Sequence, residues 1–501
     1  MSAAAEASGV RPDSTPELHP RRWAALGVIA ISQLMVVLDA TIVNIALPSA
    51  RVDLGITEAN QQWVITAYTL AFGGLLLLGG RIADYWGRKR TFMVGAIGFA
   101  AASAIGGLAT TGPLLFGARA LQGAFGALLA PASLALLTVL FTEARERAKA
   151  FAVYGAIAGG GSAVGLLLGG VLTEYASWRW CLLVNIPIAL LALALAIPLV
   201  PESKAHGDTS YDVPGAVVVT LGLTSLVYGF TEAAKPAEGW DSPKTLAFIA
   251  AGIVLLIVFV LIERASKNPL LPLRIVLDRN RGGAYLTSML VGAGLFGAFL
   301  FLTLFLQNVL GYTPLKAGFA SLPVTVGVLI SATVASNLLP RIGPKIPMMI
   351  GPVLAAIGMI SLRFIDVDTA FWTHLMPAQV LLGLGLGFTF VPLSSLALVG
   401  VPEHDAGAAS AALNATQQIG GSLGTALLNT IATSAIAAYV AANLVAGQDP
   451  GPVALKAQVD GYADAFTWAA GLILLAGIIT AIFVKVDKAD LPTGEAAVHV
   501  G

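Results

Sequence analysis

Two ionisable side chains, Asp39 and Arg119, stand inside long apolar stretches of this sequence. If those stretches cross a membrane, such residues are expensive to bury and usually functional. Asp39 precedes Pro48 by nine residues, which sets it roughly 13 Å below that end of its helix at about 1.5 Å per residue. Arg119 lies ~9 Å below the corresponding end of its own segment, so the depths differ by only ~4–5 Å and permit a pair. A carboxylate that alternately meets and leaves a guanidinium can bind and release a proton, because the nearby positive charge favours the ionised form. The same two residues could equally be a fixed ion pair locking two helices together. Spacing leaves both readings open.

A second pattern is the polar series Asn414, Gln418, Ser422, Thr425 and Asn429. Steps of three and four put these residues on one helical face, which meets either a water-filled cavity or a neighbouring helix. The cavity reading is the expectation, with Gln33, Tyr68, Phe72, Tyr154, Phe296, Phe299 and Gln307 as further walls. That mixture suits large amphipathic molecules better than sugars. Other charged groups read as solvated: Glu232 beside a polar loop, the Glu143, Arg145, Glu146, Arg147 and Lys149 run as a loop, and Asp366, Asp368 and His374 at a hydrated mouth.

The elements that must position these residues follow from composition. Of 501 residues 57% are hydrophobic and 11% charged, with a mean hydropathy of +0.83. Soluble domains carry roughly 25% charged residues, so this is an integral membrane protein in contact with the lipid bilayer. The 28 basic and 28 acidic residues balance, which argues against a nucleic-acid partner. Cys181 is the single cysteine and excludes an intrachain disulfide or a multi-cysteine metal site. No segment fits the phosphate-cradling G-x-x-x-x-G-K-[ST] pattern, so no ATP and no other cofactor is expected. Paired histidines within a span and an acid dyad are also missing, so the chain does not read as an enzyme and no catalytic or metal residue is assigned.

A spanning helix needs roughly 20 mostly apolar residues. Fourteen segments qualify, at about 23–47, 61–79, 92–109, 113–138, 150–172, 180–199, 214–232, 245–263, 284–306, 317–338, 347–364, 373–398, 406–438 and 464–484. With alternating loops, 20 lysines and arginines fall on the side of the N-terminus and 7 on the other, so the positive-inside rule puts both termini in the cytoplasm. An internal repeat also shows. Leu54-Gly55-x-Thr57 recurs as Leu310-Gly311-x-Thr313, and Gly87 and Lys89 recur as Gly343 and Lys345, at an offset of 256 that later drifts to about 260. Duplicated halves are common in transporters. The expected fold is all-α with 14 transmembrane helices in a 6+2+6 arrangement: a tail (1–22), a six-helix half (23–200), two inserted helices with their loops (201–283), a second half (284–484) and a second tail (485–501). Asp39 corresponds to Leu295 and Arg119 to Val380, so the charges are not duplicated with the fold.

The loop after the second span reads Gly80-Arg81-Ile82-Ala83-Asp84-Tyr85-Trp86-Gly87-Arg88-Lys89-Arg90. It resembles the G-x-L-A-D-x-x-G-R-K loop of the major facilitator superfamily. Leu38-Asp39-Ala40-Thr41 through Leu47-Pro48 resembles the first-span motif of that superfamily's fourteen-helix drug:proton antiporter branch. Arg119-Ala120-Leu121-Gln122-Gly123 is similar to a fourth-span motif of proton-linked members. Trp178-Arg179-Trp180, Asn185-Ile186-Pro187 and the run from Leu310 to Gly318 agree with the same branch. The resemblance implies a major facilitator fold in a bacterial cytoplasmic membrane. It implies export, by a monomer, of small hydrophobic or amphipathic compounds such as drugs, dyes or antibiotics in exchange for protons. It gives Gly80, Asp84, Gly87 and Arg88 the role of a conformational-switch loop, and Gly161, Gly165 and Gly169 that of an antiporter-motif helix. One position departs: Leu166 stands where the antiporter pattern G-P-x-x-G-G has proline. A lipid carrier or a facilitated carrier without strict proton exchange is therefore the alternative.

Overall fold

The computed structural model describes residues 20–486 apart from 142, 205–211, 236–237, 267–268, 271–272, 398, 400, 402–405 and 445–448, with backbone alone at several positions in 144–159, at 340 and at 406–408. The two expected tails lie largely outside the described residues. Among the described residues, thirteen helices are long and apolar enough to cross a membrane. They are α1 (Arg22–Asp53), α2 (Trp63–Trp86), α3 (Arg88–Gly107), α4 (Gly112–Leu140), α6 (Trp180–Leu199), α7 (Val213–Ala233), α8 (Pro243–Ala265), α9 (Arg279–Val309), α10 (Pro314–Leu339), α11 (Lys345–Phe364), α12 (Phe371–Leu396), α13 (Ala409–Asn443) and α14 (Pro450–Phe483). Between α4 and α6 runs α5 (Ala144–Tyr175), in the place of the remaining expected span.

Packing is duplicated. In the first half α1 lies against α5 and α6, α4 against α2 and α3, and α3 against α6. In the second half α9 lies against α13 and α14, α12 against α10 and α11, and α11 against α14. Every pairing recurs eight helices later. The halves meet chiefly through two equivalent contacts, α2 with α13 and α10 with α5, with α1 also touching α9 and α10. Helices α7 and α8 form a hairpin whose α7 touches both α2 and α13, while α8 exposes Ile253, Val254, Ile257 and Leu261 to the surroundings. The repeated glycines explain why the turns recur. Gly55 and Gly311 both have φ +62°, and Gly87 and Gly343 have φ +126° and +73°, a region that favours glycine because it has no Cβ.

Several boundaries differ from the sequence expectation. Helix α1 continues through Pro48 to Asp53, because a proline interrupts only one backbone bond and neighbouring helices hold the rest. Helix α14 begins at Pro450 rather than near 464. Its polar first turns extend past the apolar stretch, with Asp449 accepting from the Gly451 N–H as the cap. The Glu143–Lys149 run is not a loop. It opens α5, where Glu146 pairs with Arg22 at 2.7 Å; the side chains of Arg145 and Arg147 lie outside the described residues. Asp366 and Asp368 are exposed, as expected for a hydrated loop.

Close backbone approach depends on small residues, as membrane packing requires. A Cβ on Gly79 would collide with the Ala127 carbonyl in α4, whereas one on Gly117 would meet nothing within 4 Å. Gly79→Val is therefore expected to lower stability by about 1–3 kcal/mol or to prevent folding. It should show as a lower melting temperature and loss of a monodisperse peak in detergent, while Gly117→Val leaves both unchanged.

Candidate functional site

Asp39 and Arg119 do meet. Arg119 Nη1 donates to Asp39 Oδ2 at 2.7 Å, and the two side chains are 2% and 0% exposed. The pair is surrounded by bonds that use nearly every polar atom. Asp39 Oδ1 accepts from Gln122 Nε2 at 2.9 Å and from Asn185 Nδ2 at 2.8 Å. Arg119 also donates to Gln122 Oε1 at 2.8 Å and, through Nε, to the Val64 carbonyl at 2.9 Å. Its guanidinium lies 4.5 Å from the Tyr68 ring centroid, a favourable cation–π distance. Ser103 Oγ accepts from Gln122 at 2.6 Å and from Asn185 at 3.3 Å. Five helices, α1, α2, α3, α4 and α6, thus converge on one carboxylate. Gly123 makes this possible: a Cβ there would strike the Tyr68 carbonyl, so α4 can lie close enough for Arg119 to reach Val64.

Sequence reasoning named the two charged residues but gave no role to Gln122, Asn185 or Ser103. The signals were present: Gln122 is one helical turn from Arg119, and Asn185 is an amide inside an apolar run. Tyr68, expected as a cavity wall, belongs instead to the Arg119 surroundings.

The expected substrate wall divides. Ser422 Oγ lies 2.7 Å from Thr69 Oγ1 on α2. Asn429 accepts from Gln61 at 3.1 Å and donates to Gln62 at 3.0 Å and to the Glu58 carbonyl at 3.0 Å. These two residues join the halves rather than line a cavity. Ser422 also sits in Gly420-Gly421-Ser422-Leu423-Gly424, a G-x-S-x-G spacing, but within a continuous helix, not the strand-to-helix turn that exposes a nucleophile. Gln307 donates to the Ile45 carbonyl at 3.0 Å and is likewise a bridge between halves. Gln418 Oε1 and Thr425 Oγ1 are buried with no hydrogen-bond partner among the described residues. Asn414 is exposed and bonds within its own helix to Ser410 at 3.1 Å. Tyr154 donates to Gln33 Oε1 at 2.7 Å, linking α5 to α1. Phe296 packs on Gly421, and Phe299 is half-buried.

The switch loop is anchored more firmly than its motif indicated. Arg88 donates to Asp84 Oδ1 at 2.8 Å. The N-terminus of α3, however, is satisfied by Glu202, whose oxygens accept from the Lys89 and Arg90 N–H groups at 3.1 and 3.2 Å. Gly80 faces Pro131 of α4. On α5, Gly161, Gly165 and Gly169 pack against Val37, Thr41 and Ile42 of α1. Glu232, expected to be solvated, is fully buried and ion-paired with Lys235 at 2.5 Å and Lys244 at 2.8 Å. The hairpin turn folds both lysines back over the end of α7.

Two halves of duplicated packing, bonded together at one face and with a buried ionic network inside the first, fit a multi-pass membrane transporter. The model of the Major Facilitator Superfamily matches residues 29–425, and the chain belongs to that superfamily. It is 49% identical over 486 residues to a puromycin resistance protein of Streptomyces alboniger, covering 96% of this chain and 95% of that one. It is 36% identical to a cephamycin export protein of Amycolatopsis lactamdurans, with 93% and 94% covered. Among solved structures it resembles a bacterial homologue of the human lysosomal transporter Spinster in an inward-facing, occupied conformation. The TM-score there is 0.67 at 14% identity, covering 95% of this chain and 99% of that one; at this identity the likeness concerns the fold.

Removing one partner of a buried pair leaves an uncompensated charge, at a cost of about 3–5 kcal/mol. Asp39→Ala should therefore lower the melting temperature in detergent sharply. The double variant Asp39→Leu, Arg119→Met should recover most of the loss.

Proposed function

We propose that this protein exports small hydrophobic or amphipathic antibiotic-type molecules in exchange for protons, by alternating access between its two halves. The observation that carries this reading is the buried Asp39–Arg119 pair with its amide network. The equivalent second-half positions are uncharged: Leu295, and Gln379 rather than the expected Val380, since Gly383 meets the Val324 carbonyl as Gly123 meets that of Tyr68. The relatives named for antibiotic resistance and export supply the substrate class. The face where α1 begins is cytoplasmic on this reading, in keeping with its excess of basic residues.

Protonation of Asp39 would remove the charge that holds Arg119, Gln122 and Asn185 on one carboxylate. The helices carrying those residues could then shift relative to α1. Conversely, an ionised Asp39 gathers α1, α3, α4 and α6 into the arrangement described here. In that arrangement the halves are bonded at the face opposite the chain's start. Asn429 holds Gln61 and Gln62, Gln307 holds the Ile45 carbonyl, and the Leu315 N–H donates to Glu174 at 3.0 Å. A transporter bonded on its outer side presents its central path to the cytoplasm, where an exporter takes up cargo.

Leu166 favours a second reading, a facilitated or lipid carrier. Helix α5 runs unbroken for 32 residues and lays the Leu166 carbonyl against Gly318 of α10, where a proline would have altered the helix.

Reconstitution into liposomes separates the readings. With an imposed pH gradient, wild-type protein should accumulate puromycin against its concentration gradient, and Asp39→Asn should reduce accumulation at least ~10-fold while equilibrative exchange persists. Accumulation unaffected by Asp39→Asn would remove the proton role. Movement that ignores the gradient, or lipid scrambling, would favour the second reading. Separately, Asn429→Leu should weaken the closed face and raise labelling of a cysteine introduced at Glu58 by an impermeant thiol reagent.

A further inference from the structure

Above the ionic network lies a small cavity lined by residues of α1, α2, α4, α6 and the turn before α6. Each helix entering the wall also supplies a contact to the network beneath. On α1, Val43, Ala46, Leu47 and Ala50 form a stripe that starts one turn above Asp39 and ends one turn below Asp53. On α2 the wall residue is Val64, whose carbonyl holds Arg119. On α4 the wall includes Arg119 itself. On α6, Cys181 and Leu182 line the space, one turn from the Asn185 that bonds Asp39. The cavity is therefore a continuation of the Asp39 site toward the face opposite the chain's start. It is separate from the Gln418 and Thr425 region between the halves.

Its far end is closed by Trp178, which is 6% exposed. The indole Nε1 donates to Asp53 Oδ2 at 3.0 Å, and Arg179 pairs with the same oxygen. The Arg179 guanidinium stacks 4.5 Å from the Trp178 ring and donates to the Ala109 carbonyl at 3.0 Å. Asp53 and Arg179 themselves are 46% and 31% exposed, so the latch reaches the surface while the ring it pins does not. The free volume is about 10 Å³ measured to the centre of a water-sized sphere, room for about one water. The wall is aliphatic apart from Arg119, Cys181 and the indole, and a water needs two to four polar partners. Such a lining holds water poorly, and hydrophobic constrictions can gate by dewetting.

We propose that this cavity is the outer proton passage to Asp39, that Trp178 is its lid, and that Asp53 with Arg179 is the latch. The proposal rests on the reading of Asp39 as the proton-binding group. The groups facing Asp39 are Arg119 and Gln122 from α4, Asn185 and Cys181 from α6, Ser103 from α3 and Tyr68 from α2. Arg119 is the one permanent charge among them, and it stands between the carboxylate and the lid. When the lid lifts, water reaches Arg119 and the carboxylate behind it without crossing the substrate path. While the latch holds, as here, the outer bulk is cut off and only the opposite side can exchange protons with Asp39.

Cys181 is the single cysteine in the chain and lines the cavity, so it reports directly on the lid. In cells or right-side-out vesicles, the impermeant anionic reagent sulfonatoethyl methanethiosulfonate should leave wild-type Cys181 unmodified. It should modify Trp178→Ala at least ~10-fold faster. Asp53→Asn, which keeps the side-chain volume, and Trp178→Phe, which keeps an aromatic ring but loses the indole N–H, should give smaller increases and safeguard against misfolding of the alanine variant. In liposomes Trp178→Ala should also conduct protons without substrate, and adding Asp39→Asn should abolish that leak. If labelling stays at the wild-type level in all three variants, the lid is wrong. If labelling rises but the leak persists with Asp39→Asn, the passage does not lead to Asp39. Failure of the Asp39 role itself is distinguishable, because labelling would still rise while Asp39→Asn protein remained gradient-driven.

Discussion

Everything in this molecule is arranged around the cost of keeping one carboxylate and one guanidinium away from water. A buried ion pair must have its remaining polar atoms satisfied or it destabilises the fold. The first half meets that demand with Gln122, Asn185, Ser103, the Val64 carbonyl and the Tyr68 ring. These groups and Asp39 itself come from five helices, so on the proposed reading a change in the charge of Asp39 is felt by all five. The second half has the same packing pairs but no equivalent charge, so it can act as a comparatively passive frame. This asymmetry within a duplicated fold is what the proposed function rests on when it assigns proton chemistry to the first half and cargo to the space between the two.

The contacts between the halves follow the same logic at lower cost. Apart from the Glu174 carboxylate that accepts from the Leu315 N–H, they are neutral hydrogen bonds from amides and hydroxyls, at Gln61, Gln62, Thr69, Ser422, Asn429 and Gln307. Neutral bonds of this kind are each worth only about 0.5–1.5 kcal/mol net and can be exchanged as the halves rock. The inserted hairpin takes part: Thr231 accepts from Gln62 at 2.9 Å, and Thr430 donates to the Phe230 carbonyl at 2.7 Å. Helix α7 is therefore bonded to both halves at the face where they meet.

Much of this was legible in the sequence because lipid makes hydropathy decisive. Span positions and the repeat at Gly55 and Gly311 follow from apolar length and turn glycines, and similar depth makes the meeting of Asp39 with Arg119 possible. What was not legible depended on azimuth, the direction a side chain takes around its helix. Asn429 and Ser422 share a face with Gln418, yet α2 lies against that face and claims them. Glu232 looked solvated from its polar surroundings, but the hairpin folds Lys235 and Lys244 over it. Glu202 could not be connected with the switch loop from sequence, since more than a hundred residues separate it from the α3 N-terminus it caps. Helix ends were misplaced at Pro48 and near 464 because polar or proline-containing turns continue a helix when tertiary contacts support them.

The central claim is that substrate and proton oppose one another through Asp39. Linkage requires that a ligand favouring the deprotonated form releases a proton as it binds. The direct measurement is proton release when puromycin is added to the purified protein in weakly buffered detergent, followed with a pH dye alongside binding. The account predicts release approaching about one proton per bound substrate, lost in Asp39→Asn while binding is retained. Binding without proton release in the wild type, or equal release in Asp39→Asn, would contradict it.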